Sequence, residues 1–408
     1  MTAPPTPRRR WHIITSEFPP HVGGVADYTR LVAKGLAAAG DEVHVWCPPV
    51  PPRGADDGVT VHPELGGIAP GDLRRVGRQL GHWPAPRHLL VQWVPHGYGY
   101  RSMNLGLCAW LWWRSIVRRD RVDIMVHEPY LAFWEHAWRH AGVALVHRLM
   151  TLVLIAAAHR VFVAIPGWES RWRPYALGRR LPFTWLPVPS SLPTGRPPAA
   201  EVAGVRERYA VPGRPLVGHF GTYGPAMASR LLDLVPRLLQ SRLRPSLLLL
   251  GDGGDAVRRP LLERHPAMAD RIAAPGYLPA SDLARHITAC DAFVQPYPDG
   301  VSSRRTSAMA ILSLGTPLVT TEGSLSEGLW RETEGVLLAD VGDPDGLLAH
   351  LDQLLADEPR RLRLGQQGHE LYARRFDVSH TIAALRESRE TAGSTGSTGG
   401  PARVTLVD

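Results

Sequence analysis

The period of the apolar positions changes repeatedly along the chain, and each change predicts an element. WHIITSEF, residues 11–18, opens with a run of apolar residues that reads as a buried strand, and PPHVGG follows it as a loop. In VADYTRLVAKGLAAAG, residues 25–40, apolar residues return every three or four positions, which predicts a helix closed by Gly40. DEVHVWCP then reads as a second strand. Strand, helix and strand in this order make a βαβ unit, whose right-handed crossover implies a parallel sheet. Further strands are predicted at 88–94 (HLLVQWV), 122–127 (VDIMVH) and 160–165 (RVFVAI).

Residues 184–200, TWLPVPSSLPTGRPPAA, are dense in Pro, Ser and Gly, the composition of a stiff linker. The βα rhythm restarts beyond them: RPLVGHFG, a helix around 226–240, SLLLLGDG, a helix near 256–264, RIAAPGY, SDLARHITAC, DAFVQPY, a helix at 304–314 and TPLVTTEG. The expected fold class is α/β, with two Rossmann-like doubly wound domains facing across a cleft. The expected boundaries are a first domain at 1–185, a linker at 186–200, a second domain at 201–375, a closing helix at 376–390 and a disordered Gly/Ser/Thr-rich tail at 391–408. Length agrees, because 408 residues exceed one ordinary core and suit two domains of roughly 200 residues.

Composition narrows the function classes. The formal charge is +8, almost all of it from arginine, since Lys34 is the only lysine. The arginines are scattered and no nucleic-acid motif accompanies them, so an anionic small ligand is the expected partner, with no nucleic acid. Cys47, Cys108 and Cys290 are far apart and odd in number, with no CxxC and no metal-spaced histidines nearby; neither a disulfide framework nor a metal site is expected. The start shows no signal-peptide pattern, and the most apolar stretches, 104–117 and 149–158, are shorter than the ~18 residues of a membrane helix. A cytoplasmic location follows as an expectation, with peripheral contact at a membrane surface left open.

In open α/β sheets ligands bind at the carboxyl ends of the strands, so candidate chemistry is sought there. Gly23 and Gly24 follow the first strand where free amides can cradle an anion, although tight turns use the same pair. His127 and Glu128 end VDIMVH; a lone histidine at that position serves either a ligand or the core. WVPHGYGYRSMN, residues 93–104, offers His96, Tyr98, Tyr100 and Asn104 to a polar acceptor, or is an aromatic loop packed on its own domain. GHFGTYG, residues 218–224, admits a diphosphate close to the backbone at Gly221 and Thr222. The most informative stretch is DGVSSRRTSAMAILSLG, residues 299–315: Ser302 or Ser303 is expected to cap a helix that begins at Arg304 and ends at Gly315. Arg304, Arg305 and Thr306 then stand in a first turn with bare amides. A diphosphate suits that charge; the alternative is a pair of solvated arginines, which the positive helix end disfavours.

Taken together, SEFPPHVGGVADYTRLVAKGLAAAGDEVHVWCP, GDGGD, GYLPASDLARHITACDAFVQPYPDG, GTPLVTTEGSLSE, GVLLADVGDPDGLLAHLDQLLADEPRRLRLGQQG and RRFDVSHTIAAL resemble the family-4 retaining glycosyltransferases of GT-B architecture. The resemblance covers nearly the full length and is weakest over residues 50–120, which it assigns to the acceptor. It implies transfer of a sugar from a nucleotide-sugar donor to a sugar, lipid-linked or small-molecule acceptor, with retention, without metal and without a cofactor beyond the donor. It also implies that His127 contacts the donor sugar and that Gly23 and Gly24 lie near it. The chain departs from the family where two glutamates eight positions apart are usual: Ser302 and Ala310 stand there, and the helix after RPLVGHFG lacks the usual lysine. Arg304 and Arg305 are expected to supply the lost cation, and Asp299 to lie near the lost sugar-binding carboxylate as a second catalytic candidate. The leading expectation is a divergent active glycosyltransferase of hexosyltransferase type. The alternatives are an inactive relative that binds a nucleotide or glycan, and an epimerase or phosphorylase of similar architecture.

Overall fold

A computed structural model describes residues 8–387 except 22, 52–56, 132, 134–137 and 194. The expected tail at 391–408 and the end of the closing helix, 388–390, lie outside the described residues. The first unit runs β1 (Arg10–Ile14), α1 (Gly24–Ala38), β2 (Glu42–Trp46), β3 (Val59–His62), α2 (Pro70–Leu80), β4 (His88–Trp93), α3 (Leu105–Val117), β5 (Arg121–Val126), α4 (Trp138–Ala157), β6 (Ala158–Val163), α5 (Pro166–Trp172) and β7 (Phe183–Trp185). Its sheet is parallel throughout, in the order β3-β2-β1-β4-β5-β6-β7.

The described residues of 186–198 cross to the second unit without helix or strand. There the order is α6 (Ala199–Tyr209), β8 (Leu216–Phe220), α7 (Pro225–Gln240), β9 (Ser246–Leu250), α8 (Gly254–Arg264), β10 (Ile272–Gly276), α9 (Ala280–Ala289), β11 (Ala292–Gln295), α10 (Thr306–Ser313), β12 (Leu318–Glu322), α11 (Leu329–Glu332), β13 (Leu337–Asp340), α12 (Pro344–Ala356), α13 (Glu358–Arg375) and α14 (Val378–Arg386). The second sheet is also parallel, in the order β10-β9-β8-β11-β12-β13. In each sheet the strand order reverses beside the first strand of its unit, between β1 and β4 and between β8 and β11. Crevices for ligands open at those reversals, beyond the strands' carboxyl ends.

The apolar periods noted in the sequence become core. Central strands are buried on both faces, as β9, SLLLL, illustrates. Helix α1 turns Ala26, Val32, Ala33 and Leu36 into the first unit's core. The last described helix returns to that same core: Ile382 and Leu385 of α14 belong to it, and Gly35 of α1 leaves room, since a Cβ there would lie 2.7 Å from Ile382. Arg160 fastens the end of α14 by donating to the carbonyls of Leu385 (3.0 Å) and Glu387 (3.1 Å) while pairing with Asp123 (2.6 Å). The chain therefore crosses between the units twice, which ties their relative placement to two connections.

Three short strands were not predicted, β3, β7 and β13, each of three or four residues at a sheet edge with too few apolar positions to stand out.

Candidate functional site

The cleft is built where the carboxyl end of β11 faces those of β5 and β6. Helix α10 begins at Thr306, two residues later than its sequence suggests, and its N-cap Arg305 makes no side-chain cap. The expected capping by Ser302 or Ser303 is thus corrected: both side chains are drawn inward and buried. The expected C-terminal stop holds, with Gly315 at φ 69°.

The physical reason for the displaced start is a hydrogen-bond knot on Ser303 that joins the two units. Val188 donates its amide to the Ser303 carbonyl (2.9 Å), Trp185 donates its indole N–H to Ser303 Oγ (3.0 Å), and Ser303 Oγ lies 2.8 Å from the carbonyl of Ala164 at the end of β6. The same hydroxyl touches Glu327, whose carboxyl also receives the Ser303 amide (2.9 Å) and the Trp330 indole (2.6 Å).

A serine hydroxyl has one proton to give. Trp185 can only donate, and its indole also reaches the Ala164 carbonyl (3.3 Å), so the Ser303 proton is shared between Ala164 O and the Glu327 carboxyl. Burial pushes the Glu327 carboxyl up, against the hydrogen bonds from Ser303 and Trp330 that pull it down. A carboxyl raised above its unfolded value adds stability that is complete below the unfolded value and is lost as pH rises through the folded one. Glutamine keeps the shape of the carboxyl without its charge. Glu327→Gln is therefore expected to hold its stability as pH rises through the folded Glu327 value, where the wild type loses about 1 kcal/mol, one hydrogen bond's worth. Thermal melts across pH test this, and parallel curves for the two proteins would refute it.

Beyond the knot stand the arginines. Asp299 pairs with both: its Oδ2 lies 2.8 Å from Arg304 Nη2, and its Oδ1 contacts Arg305. This corrects the placing of Asp299 as a free sugar-binding or catalytic carboxylate, because both of its oxygens are engaged by guanidiniums. Arg305 also lies over the Tyr297 ring (4.7 Å), and Tyr297 in turn bonds Ser307 of α10 (2.7 Å). Arg304 approaches the Trp168 ring of α5 (5.9 Å), across the cleft. Burial, and then the neighbouring Arg305, hold the Arg304 guanidinium below its ordinary value. The cation is thus short of compensation, and the Nε atoms of both arginines are buried without a partner among the described residues. An arriving anion relieves that cost. Thr306 is exposed at the start of α10, while Ser302 Oγ is buried without a partner.

Across the cleft, His127 is held firmly. Its ring lies edge-on to Tyr28 (4.7 Å), its carbonyl accepts from Trp168 Nε1 (3.2 Å), and its Nε2 lies 2.8 Å from Gln92 Oε1. An amide oxygen only accepts, so Nε2 carries the proton and Nδ1 is the free acceptor. Burial pushes the imidazole down to about 3, which keeps it neutral. His127, Trp168 and Arg304 form a continuous line of contacts from β5 to the head of α10.

The glycine pair is used differently from expectation. The Glu17 carboxylate accepts from the Ala26 amide (3.0 Å) and lies where a Cβ on Gly23 would be, so Glu17 already fills the position read as an anion cradle. Gly24 has open space beside it. Gly221 and Thr222 end β8, where Gln295 donates to the Phe220 carbonyl (2.8 Å).

Among the residues assigned to an acceptor, two are corrected. Tyr98 is fully buried and donates to the Gln92 carbonyl (2.6 Å), and Asn104 is a buried N-cap that accepts from Leu107 (2.9 Å) and donates to the Tyr98 carbonyl (2.8 Å). Both stabilise the loop from inside and neither can reach an acceptor. His96 and Glu128 do meet at the mouth (3.4 Å), and Tyr100 is exposed beside them. Sequence reading missed Glu17, Gln92, Trp168 and Glu327. Trp168 and Glu327 follow strand ends, a signal that was available; Glu17 and Gln92 act through contacts visible only in three dimensions.

Among the described residues no group of His, Cys, Asp or Glu is arranged to hold a metal ion.

Residues 214–357 match the protein family described as Glycosyl transferases group 1. The lipopolysaccharide core biosynthesis glycosyltransferase LpsE of Rhizobium meliloti (strain 1021) is 30% identical over 133 residues, covering 32% of this chain and 37% of that protein. The match thus spans little more than a third of this curated relative. Sucrose-phosphate synthase from Thermosynechococcus elongatus superposes with a TM-score of 0.69 at 18% identity, over 93% of this chain and 97% of that one. Anabaena HepE, solved in complex with UDP and glucose, superposes with a TM-score of 0.69 at 15% identity, over 95% and 100%. The chain therefore has the two-unit GT-B fold, and its second unit carries a glycosyl transferases group 1 domain.

Proposed function

We propose that the protein is a retaining glycosyltransferase that moves a sugar from a nucleoside diphosphate to an acceptor in the cleft, without a metal. The observation that carries this reading is the arginine pair at the head of α10, short of compensation, with Arg304 facing Trp168 of the opposite unit. A diphosphate there meets two guanidiniums and the first amides of α10, which match phosphate oxygens in geometry and charge. Asp299 gives up part of its pairing when the diphosphate arrives and keeps the guanidiniums oriented until then.

In the reaction the bond from the anomeric carbon to the diphosphate breaks and a bond to the acceptor oxygen forms. The acceptor proton passes to the departing phosphate oxygen, so atoms and charge balance without a protein nucleophile. Arg304, Arg305 and the helix amides stabilise the charge that grows on the leaving group. The neutral Nδ1 of His127 accepts from a sugar hydroxyl and fixes the ring. His96, Glu128 and Tyr100 receive the acceptor at the mouth. Without a protein nucleophile, retention requires the acceptor oxygen to attack from the face that the diphosphate leaves, which is also where its proton reaches the departing phosphate oxygen.

HepE was solved with UDP and glucose, which makes UDP-glucose the first donor to try. The experiment is a donor panel assayed for nucleoside diphosphate release, with and without sugar acceptors and with and without EDTA, and with product anomers read by NMR. Turnover that survives EDTA and retains configuration is expected. Binding of donor without turnover of any sugar would instead identify an inactive nucleotide binder, the reading to which the missing acids at Ser302 and Ala310 would then belong. Loss of turnover in EDTA with rescue by magnesium would refute the metal-free mechanism.

A further inference from the structure

Helices α3 and α4 lie side by side on one face of the first sheet, and their outward faces are apolar. Trp112, Trp113, Ile116 and Val117 of α3 and Leu145 and Leu149 of α4 are between 42 and 63% exposed. Spacings of three and four residues put each set on one side of its helix, opposite the buried stripe of Leu107, Cys108, Leu111 and Arg114 in α3. Around Leu145 and Leu149 the other solvent-facing positions of α4 among the described side chains are Ala141, Gly142 and Ala156, none of them charged. A water-exposed helix face of this kind is the reverse of the usual pattern.

The rim is basic. Arg118 and Arg119 are exposed at the end of α3. At the end of α4, Arg179 donates to the Ile155 carbonyl (2.8 Å) and the Ala156 carbonyl (3.0 Å), which brings exposed Leu177 and Arg180 to the same edge. Among the described residues of 100–161 the carboxylates are Asp120 and Asp123, both buried and paired with arginines, and Glu128 in the cleft. No described helix is long and apolar enough to cross a membrane.

We infer that the α3–α4 face docks on an anionic lipid surface, with the tryptophans and aliphatic side chains entering the interface and the arginines meeting the headgroups. Apolar side chains inserted to headgroup depth together with a cationic rim are the two terms that bind proteins to such surfaces, and tryptophan favours that depth. Charge selects the occupant: a positive rim complements anionic lipid, and would set two copies of the same face against each other. The inference rests on this surface alone and holds whatever reaction the cleft performs.

The test is co-sedimentation of the full chain with vesicles of phosphatidylcholine and with vesicles of an equal mixture of phosphatidylcholine and phosphatidylglycerol. The wild type is expected to partition to the mixture and only weakly to phosphatidylcholine. Ile116→Glu with Leu145→Glu should abolish binding to both at an unchanged melting temperature, which shows that the fold is intact. Arg118→Gln with Arg119→Gln should weaken binding to the mixture about tenfold to thirtyfold, at about 1 kcal/mol per arginine, and leave the weak binding to phosphatidylcholine unchanged. The inference is overturned if the wild type ignores anionic vesicles, or if the folded variants still bind them. A wild-type dimer that Ile116→Glu and Leu145→Glu disperse, seen by sedimentation velocity, would overturn it as well by assigning the face to a second copy.

Discussion

His127→Ala is expected to lower turnover by about a hundredfold while changing donor affinity little. The imidazole is locked between Tyr28 and Gln92, and burial keeps it neutral by pushing it down to about 3. Its free Nδ1 is therefore a fixed acceptor, already oriented before the sugar arrives. A preoriented polar group that meets the reacting centre typically contributes a factor of about 10² to 10³ to the rate, because no reorganisation is needed as charge develops. Steady-state measurement of kcat and KM, with a melting curve to confirm folding, checks the expectation. The signature is a fall in kcat at nearly constant KM. The wild-type profile should also show no inflection from His127 between about pH 5 and pH 9, since an imidazole at about 3 does not titrate there. Normal turnover in a folded variant would make His127 a core histidine, the alternative that its sequence leaves open.

Arg304→Ala or Arg305→Ala should each weaken nucleoside diphosphate binding about tenfold to a hundredfold, as a charge-assisted hydrogen bond worth about 1.5–3 kcal/mol is lost. Of the two, Arg304 should matter more. It faces the opposite unit at Trp168, and burial together with Arg305 already depresses its guanidinium, so it gains most from an anion. Lysine at either position should recover only part of the loss, because an ammonium lacks the two-pronged fit to phosphate. Calorimetric titration with nucleoside diphosphate, and with free nucleoside as control, distinguishes phosphate contacts from base contacts. Asp299→Asn provides a further control. Removing its charge leaves the arginines to the ligand, so diphosphate affinity should not fall as it does in the arginine variants. Equal diphosphate affinity in wild type and both alanine variants would mean that Asp299 satisfies the pair completely and that the phosphates bind elsewhere.

The order of strands and helices was legible in the sequence because each sheet is parallel and buried, so its strands are short apolar runs and its helices carry one apolar stripe. WHIITSEF, HLLVQWV, VDIMVH, SLLLL and TPLVTT all became strands where their patterns placed them. β3, β7 and β13 escaped because edge strands bury too little to need such a pattern. The rule that ligands meet strand ends also drew attention to His127, Glu128 and the arginine loop. The same rule could not separate Tyr100, which is exposed, from Tyr98, two residues earlier, which is fully buried. Loop residues have no period, so their direction follows from contacts made far away in the chain.

The sequence by itself determined the fold class, the linker between two α/β units and the loop that carries Arg304 and Arg305, all of which rest on local apolar spacing and local charge. The tertiary structure decided what those residues face. It set Asp299 between both arginines, filled the Gly23 position with Glu17, and placed Ser303 against Glu327, Trp185 and Ala164 where the units meet. These contacts join residues up to 139 positions apart. Their strength depends on excluding water from a junction that exists only once both units are folded, and no local pattern encodes that exclusion.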